Sequence, residues 1–167
     1  AAQGLTSKYV QLGVQDVGVA SEGAHTGEIA ASMVKDVGGT WVIVGHSERR
    51  TDQSESDVLV AQKFASAIAA DLSPIVCVGE TLAQREAGDA FTVVSKQLQA
   101  VIELCGVSAL VKGAIAYEPL WAIGTGLTAT PEQAGQMHAS IRELVAGLDQ
   151  DTAQAVRIIY GGSVNPE

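Results

Sequence analysis

Cysteine is scarce in this chain, with two residues among 167, Cys77 and Cys105. They form no CxxC pair and have no histidine at a ligand-like spacing, which suggests reduced, buried thiols in a cytoplasmic protein. Basic residues are also few: 10 Lys and Arg stand against 19 Asp and Glu, for a net charge of −9. That balance argues against nucleic acid or an anionic membrane surface as a partner. No apolar run approaches the roughly 18 residues that a membrane-spanning helix requires. A basic start followed by an apolar block is missing too, so no secretory signal is expected. The first residue is Ala1 rather than Met, and the natural N-terminus is therefore expected further upstream. What is present is a composition 47% hydrophobic and 17% charged, that of a globular chain long enough for one domain with a sizeable core.

Five short apolar runs recur along the chain: Tyr9–Val14, Trp41–Val44, Pro74–Val78, Ala114–Tyr117 and Arg157–Tyr160. They are continuous rather than alternating, as expected for strands covered on both faces. Helical spacing fills the intervals at Ile29–Val37, Asp57–Leu72, Thr92–Leu104 and Pro131–Leu148. Thr130-Pro131-Glu132 supplies a cap, a first-turn proline and an acid favourable to the helix dipole. Alternation of this kind predicts right-handed βαβ units and a parallel sheet. Polar residues follow every run: Gln15-Asp16, His46-Ser47-Glu48, Glu80-Thr81, Glu118 and Gly161-Gly162-Ser163. A doubly wound sheet needs functional loops only near its switch point. A (β/α)₈ barrel assembles its site from many strand ends, and that pattern fits better. Five strands cannot close such a barrel, so an incomplete chain is expected, with Asn165-Pro166-Glu167 opening a further helix.

Glu118 ends an apolar run and meets Pro119-Leu120-Trp121-Ala122-Ile123-Gly124-Thr125-Gly126. The acid is open to two readings: a cap or ion pair within the fold, or a general base. The following segment favours the base, because Trp and Ile in a loop are costly to expose unless they pack when it closes. A base that works away from water needs fixed geometry and a lid. The stretch Gly124–Ala129 superficially matches a GxGxxA dinucleotide fingerprint, but it lacks the tight strand-to-helix turn and the later acid. Glycine there lets backbone N–H groups approach an anion, so phosphate binding is the better reading. Tyr160-Gly161-Gly162-Ser163 reads either as a strand-exit turn or as a second phosphate contact near Ser163. His46 follows a strand and precedes a short helical turn, whose N-terminus favours a neutral imidazole able to donate to a carbonyl oxygen. His138 reads as an exposed helix residue, and His25 lacks the setting of His46. Glu48, Arg49 and Arg50 read as a surface or interface ion-pair set; Arg50 could also grip phosphate, but the structural reading is favoured. Gln84-Arg85-Glu86 reads as a solvated face.

These motifs together resemble those of the triosephosphate isomerase family. The resemblance rests on Val44–Arg50, Ala116–Gly126 and Tyr160–Ser163. Gly23–Glu28 and Cys77–Thr81 add to it, and order and spacing agree along essentially the whole chain. It implies an α/β fold, a partial (β/α)₈ TIM barrel of about strands three to seven with their helices, as a single incomplete domain over residues 1–167. It implies interconversion of glyceraldehyde 3-phosphate and dihydroxyacetone phosphate in glycolysis and gluconeogenesis, with no metal or organic cofactor. Glu118 would move the carbon-bound proton and His46 would polarise the carbonyl. Gly124 and Ser163 would contact the phosphate, and Pro119–Ala129 would close over it. The family is typically homodimeric, and His25-Thr26-Gly27 resembles its intersubunit loop tip. His25 stands where an aromatic is frequent, and Asp16 where Asn is more usual. The family's Asn-x-Lys strand end and its final Gly-Gly pair have no counterpart here. By the barrel's usual size, roughly 50 residues upstream and about 40 downstream would complete it. Loss of one electrostatic group commonly costs about 10²–10³ in rate. The polypeptide as written is therefore expected to have little or no activity and not to fold stably alone.

Overall fold

The computed structural model describes residues 9–123 and 125–163. Five parallel strands form one sheet in chain order, β1 to β5. They are β1 (Gly13–Val14), β2 (Trp41–Val44), β3 (Ser73–Val78), β4 (Ala114–Tyr117) and β5 (Arg157–Tyr160). The helices are α1 (Ala31–Asp36), α2 (Ser47–Asp52), α3 (Asp57–Ala69), α4 (Leu82–Glu86), α5 (Ala90–Cys105), α6 (Pro131–Ala146) and α7 (Gln150–Ala155). The alternation is that of an α/β barrel, but the sheet is not closed: among the described residues, β1 and β5 each pair with one neighbour.

The continuous apolar runs form strands because helices cover their outer face. Val42, Val44, Val76, Val78, Ile115 and Tyr117 are fully or almost fully buried, and pack with Val60, Phe64, Leu98 and Ile141 from α3, α5 and α6. Each parallel step is in register, with Val44 beside Val76, Val78 beside Tyr117 and Tyr117 beside Tyr160. The strand ends therefore lie side by side, and the polar residues that follow them share one rim of the sheet.

The first strand is shorter than its apolar run suggests. Pairing begins only at Gly13, opposite Trp41, while the N–H groups of Thr40 and Trp41 both donate to the Leu12 carbonyl. Tyr9 and Val10 are exposed, so hydrophobicity alone did not make them strand. The helix after Pro131 is capped as expected, with a reciprocal pair between Thr130 and Gln133. It stops at Ala146, and α7 follows, opened by the Asp149 carboxylate accepting from the Thr152 N–H at 2.6 Å. Two residues read as solvated face the interior instead. His138 is half-buried with its Nε2 enclosed, since it borders the Met137–Ile141–Val145 face of α6 and meets the Tyr117 ring edge-on. Arg85 pairs with the fully buried Glu80 at 3.1 Å, and its guanidinium lies over the Trp121 ring.

Candidate active site

His46 and Glu118, 72 positions apart in sequence, come together at the ends of β2 and β4, with Nε2 of one 3.6 Å from Oε1 of the other. His46 caps α2, and its Nδ1 accepts the Glu48 backbone N–H at 3.3 Å. An acceptor at Nδ1 leaves the ring proton of the neutral imidazole on Nε2, the nitrogen turned toward Glu118. Glu118 is buried, and its Oε2 faces the Ser47 N–H at 3.4 Å. Burial pushes its carboxyl above the ordinary range, against opposing contributions from the Cys77 thiol, His46, the Ser47 N–H and the Arg50 guanidinium. A carboxylate kept away from water, with few bonds to its charge, is a stronger proton acceptor than one on the surface.

The ground beneath these two groups is rigid. Arg50 donates from Nε to the Gly45 carbonyl at 2.8 Å, from Nη1 to Asp57 at 2.6 Å and from Nη2 to the Cys77 carbonyl at 3.3 Å. It therefore ties the end of β2 to that of β3, the structural role favoured for it, as a largely buried rather than a surface ion pair. Arg49 and Lys63 both meet Glu55, at 2.7 and 2.6 Å, and both meet Asp16, at 2.9 and 2.7 Å. Thus two of the residues read as a surface set are braces around α2. Glu48 remains mostly exposed.

Sequence reasoning missed three neighbours of Glu118. Cys77 carries a thiol that burial, together with Glu118, raises well above its usual range, so it stays protonated. Ser47 contributes its backbone N–H, and Gly161 contributes the lack of a side chain: a Cβ there would come 2.8 Å from Glu118 Cγ. Residue type gives no signal for the first two. The Gly-Gly pair was visible, but only the approach of β4 to β5 explains why Gly161 must be small.

The segment after Glu118 is anchored at its near end. Leu120–Ala122 forms a 3₁₀ turn, and the Trp121 indole donates to Glu80 Oε1 at 3.0 Å, as does the Tyr117 hydroxyl at 3.0 Å. The Ser163 hydroxyl reaches this turn, donating to the Ala122 carbonyl at 3.1 Å. Ser163 is thus joined to the turn that follows Glu118, while Gly124, read as a phosphate contact, lies outside the described residues. Among the described residues, no group of three or more His, Cys, Asp or Glu side chains is gathered that could hold a metal ion. No helix of the described residues is long and apolar enough to cross a membrane.

The family model described as triosephosphate isomerase matches residues 1–167. Similar curated proteins include the triosephosphate isomerases of Pseudomonas entomophila (strain L48) and Pseudomonas fluorescens (strain Pf-5), 51% and 53% identical over 162 residues. Each comparison takes in 96% of this chain and 64% of the relative, so the chain spans a little under two thirds of their length. The triosephosphate isomerase of Azoarcus sp. (strain BH72) is 53% identical over 167 residues, covering 99% of this chain and 68% of its own.

Proposed function

We propose, because the chain belongs to the triosephosphate isomerase family, that the protein interconverts D-glyceraldehyde 3-phosphate and dihydroxyacetone phosphate through an enediolate. The observation that carries this reading is the 3.6 Å approach of His46 Nε2 to Glu118 Oε1 across β3, from the ends of β2 and β4. Glu118 takes the proton from the carbon beside the carbonyl, and the C–H electron pair moves into the enediolate. The same carboxyl then returns a proton to the neighbouring carbon. His46, with its proton on Nε2, donates to the carbonyl oxygen and moves protons between the two enediolate oxygens. The reaction is redox-neutral and internal to the substrate, and in this reading, as the family resemblance implies, His46 rather than a metal ion polarises the carbonyl.

Ser163 and Gly124 are assigned to the phosphate, and residues 119–129 to the lid. Binding the dianion supplies energy for closure, which excludes water and suppresses phosphate loss from the enediolate. The global charge of −9 repels such a substrate, so local N–H donors must do the holding. Homodimerisation through the exposed loop tip His25-Thr26-Gly27 is part of the proposal. So is a cytoplasmic location, in keeping with two free cysteines. The test is a coupled assay with both triose phosphates on the full-length polypeptide that carries this sequence. Turnover is expected in both directions. Absence of turnover on either substrate would refute the reading.

A further inference from the structure

Gln97 stands on α5, and its side-chain amide gives Gly79 the bonds that a neighbouring strand would otherwise supply. Its Oε1 accepts the Gly79 N–H at 2.8 Å, and its Nε2 donates to the Gly79 carbonyl at 3.0 Å. Gly79 follows directly after β3 and is buried. It lies so close to Glu118 that a Cβ would overlap the Glu118 carbonyl oxygen and come 2.7 Å from the carbonyl carbon. The Glu118 N–H in turn donates to the Val78 carbonyl at 2.8 Å. The main chain that carries the acid therefore rests on Val78 and Gly79. Gly79, with no side chain of its own to pack, is held by Gln97. Gln97 and Glu118 also border one cavity of about 160 Å³, together with Arg50 and Cys77.

We propose that Gln97 is a positioning residue for the general base: it pins Gly79 and, through it, the backbone from which the Glu118 carboxylate projects. The inference rests on Glu118 acting as that base. Removing the amide leaves a buried N–H and a buried carbonyl unpaired, a cost that the segment relieves by shifting or by admitting water into the cavity. A displacement of about 1 Å at a reacting group lowers rates by up to about 10²-fold.

The test uses Gln97→Leu and Gln97→Glu in the full-length polypeptide, with thermal melting to confirm folding. Gln97→Leu is expected to lower kcat about 10- to 100-fold with KM nearly unchanged. In Gln97→Glu, a protonated replacement carboxyl offers one donor and one acceptor, as the amide does. The ionised form offers no donor and faces the Gly79 carbonyl, with Glu118, Arg50 and Cys77 as its charged or titratable neighbours. The ratio of variant to wild-type kcat should therefore climb as the pH falls. Wild-type kcat in a folded Gln97→Leu protein, or a ratio flat across pH, would overturn the proposal. A wild type inert toward triose phosphates would instead refute the function. In that case the crystal structure of Gln97→Leu decides: a Glu118 carboxylate shifted by about 1 Å supports the positioning role, and an unmoved one overturns it.

Discussion

Glu118 works against its own fold. Burial raises its carboxyl above the ordinary range, so the folded state holds the proton more tightly than the unfolded chain does. The resulting stability is present at acid pH, below the unfolded value, and is lost as the pH rises through the folded one. Glu118→Gln is therefore expected to melt higher than the wild type at neutral pH, an advantage that shrinks in acid, while lowering kcat by about 10²–10⁴. Melting curves across pH beside kinetic assays check both halves. Gly161→Ala offers a separate reading of the same atom positions. The added methyl would come 2.8 Å from Glu118 Cγ, so kcat should fall more than KM rises, a split that steady-state kinetics resolves. That Glu118 and His46 each stand at a strand end was legible in the sequence because each directly follows an apolar run, though a structural role for either stayed open there, and their 3.6 Å approach comes only from the fold. Cys77, Ser47 and Gly161 were not legible, since their part comes from strand register, which brings separate runs side by side.

At the scale of elements, the braces decide what the helices contribute. Lys63 is buried between Glu55 and Asp16, joining α3 to the segments after β1 and α2. Burial alone would raise the Glu55 carboxyl, but its bonds to Lys63 and Arg49 prevail and hold it below its usual value. Its contribution to stability is present above the unfolded value and lost as the pH falls through the folded one. Lys63→Met removes one of the two cations that Glu55 and Asp16 share, leaving Arg49, and is expected to cost about 1–3 kcal/mol, read by denaturant unfolding. Thr130→Ala removes the cap of α6, whose hydroxyl accepts the Gln133 N–H at 3.2 Å, and should cost about 0.5–2 kcal/mol in the same measurement. The Thr-Pro-Glu start of α6 was legible because capping is local chemistry. The short α4 was not, although Thr81 and Gln84 cap it in the same reciprocal way. Nor was the burial of Glu80, which gathers Arg85 from α4 and Tyr117 and Trp121 from the stretch at the end of β4.

Over the whole molecule, the register of five parallel strands does what no motif could do alone. It sets the ends of β2, β3, β4 and β5 along one rim. The parallel α/β architecture was legible because apolar runs alternate with amphipathic spacing. The extent of β1 was not, because ladder bonds rather than hydrophobicity end a strand. The proposed chemistry uses that rim to pass a proton between two carbons of one substrate. Its most direct test is incubation of dihydroxyacetone phosphate in heavy water with the full-length polypeptide, reading carbon-bound deuterium by mass spectrometry. Solvent deuterium should appear on carbon with the wild type and stay at background with Glu118→Gln. Equal labelling by the two proteins would contradict a carboxylate base at this site.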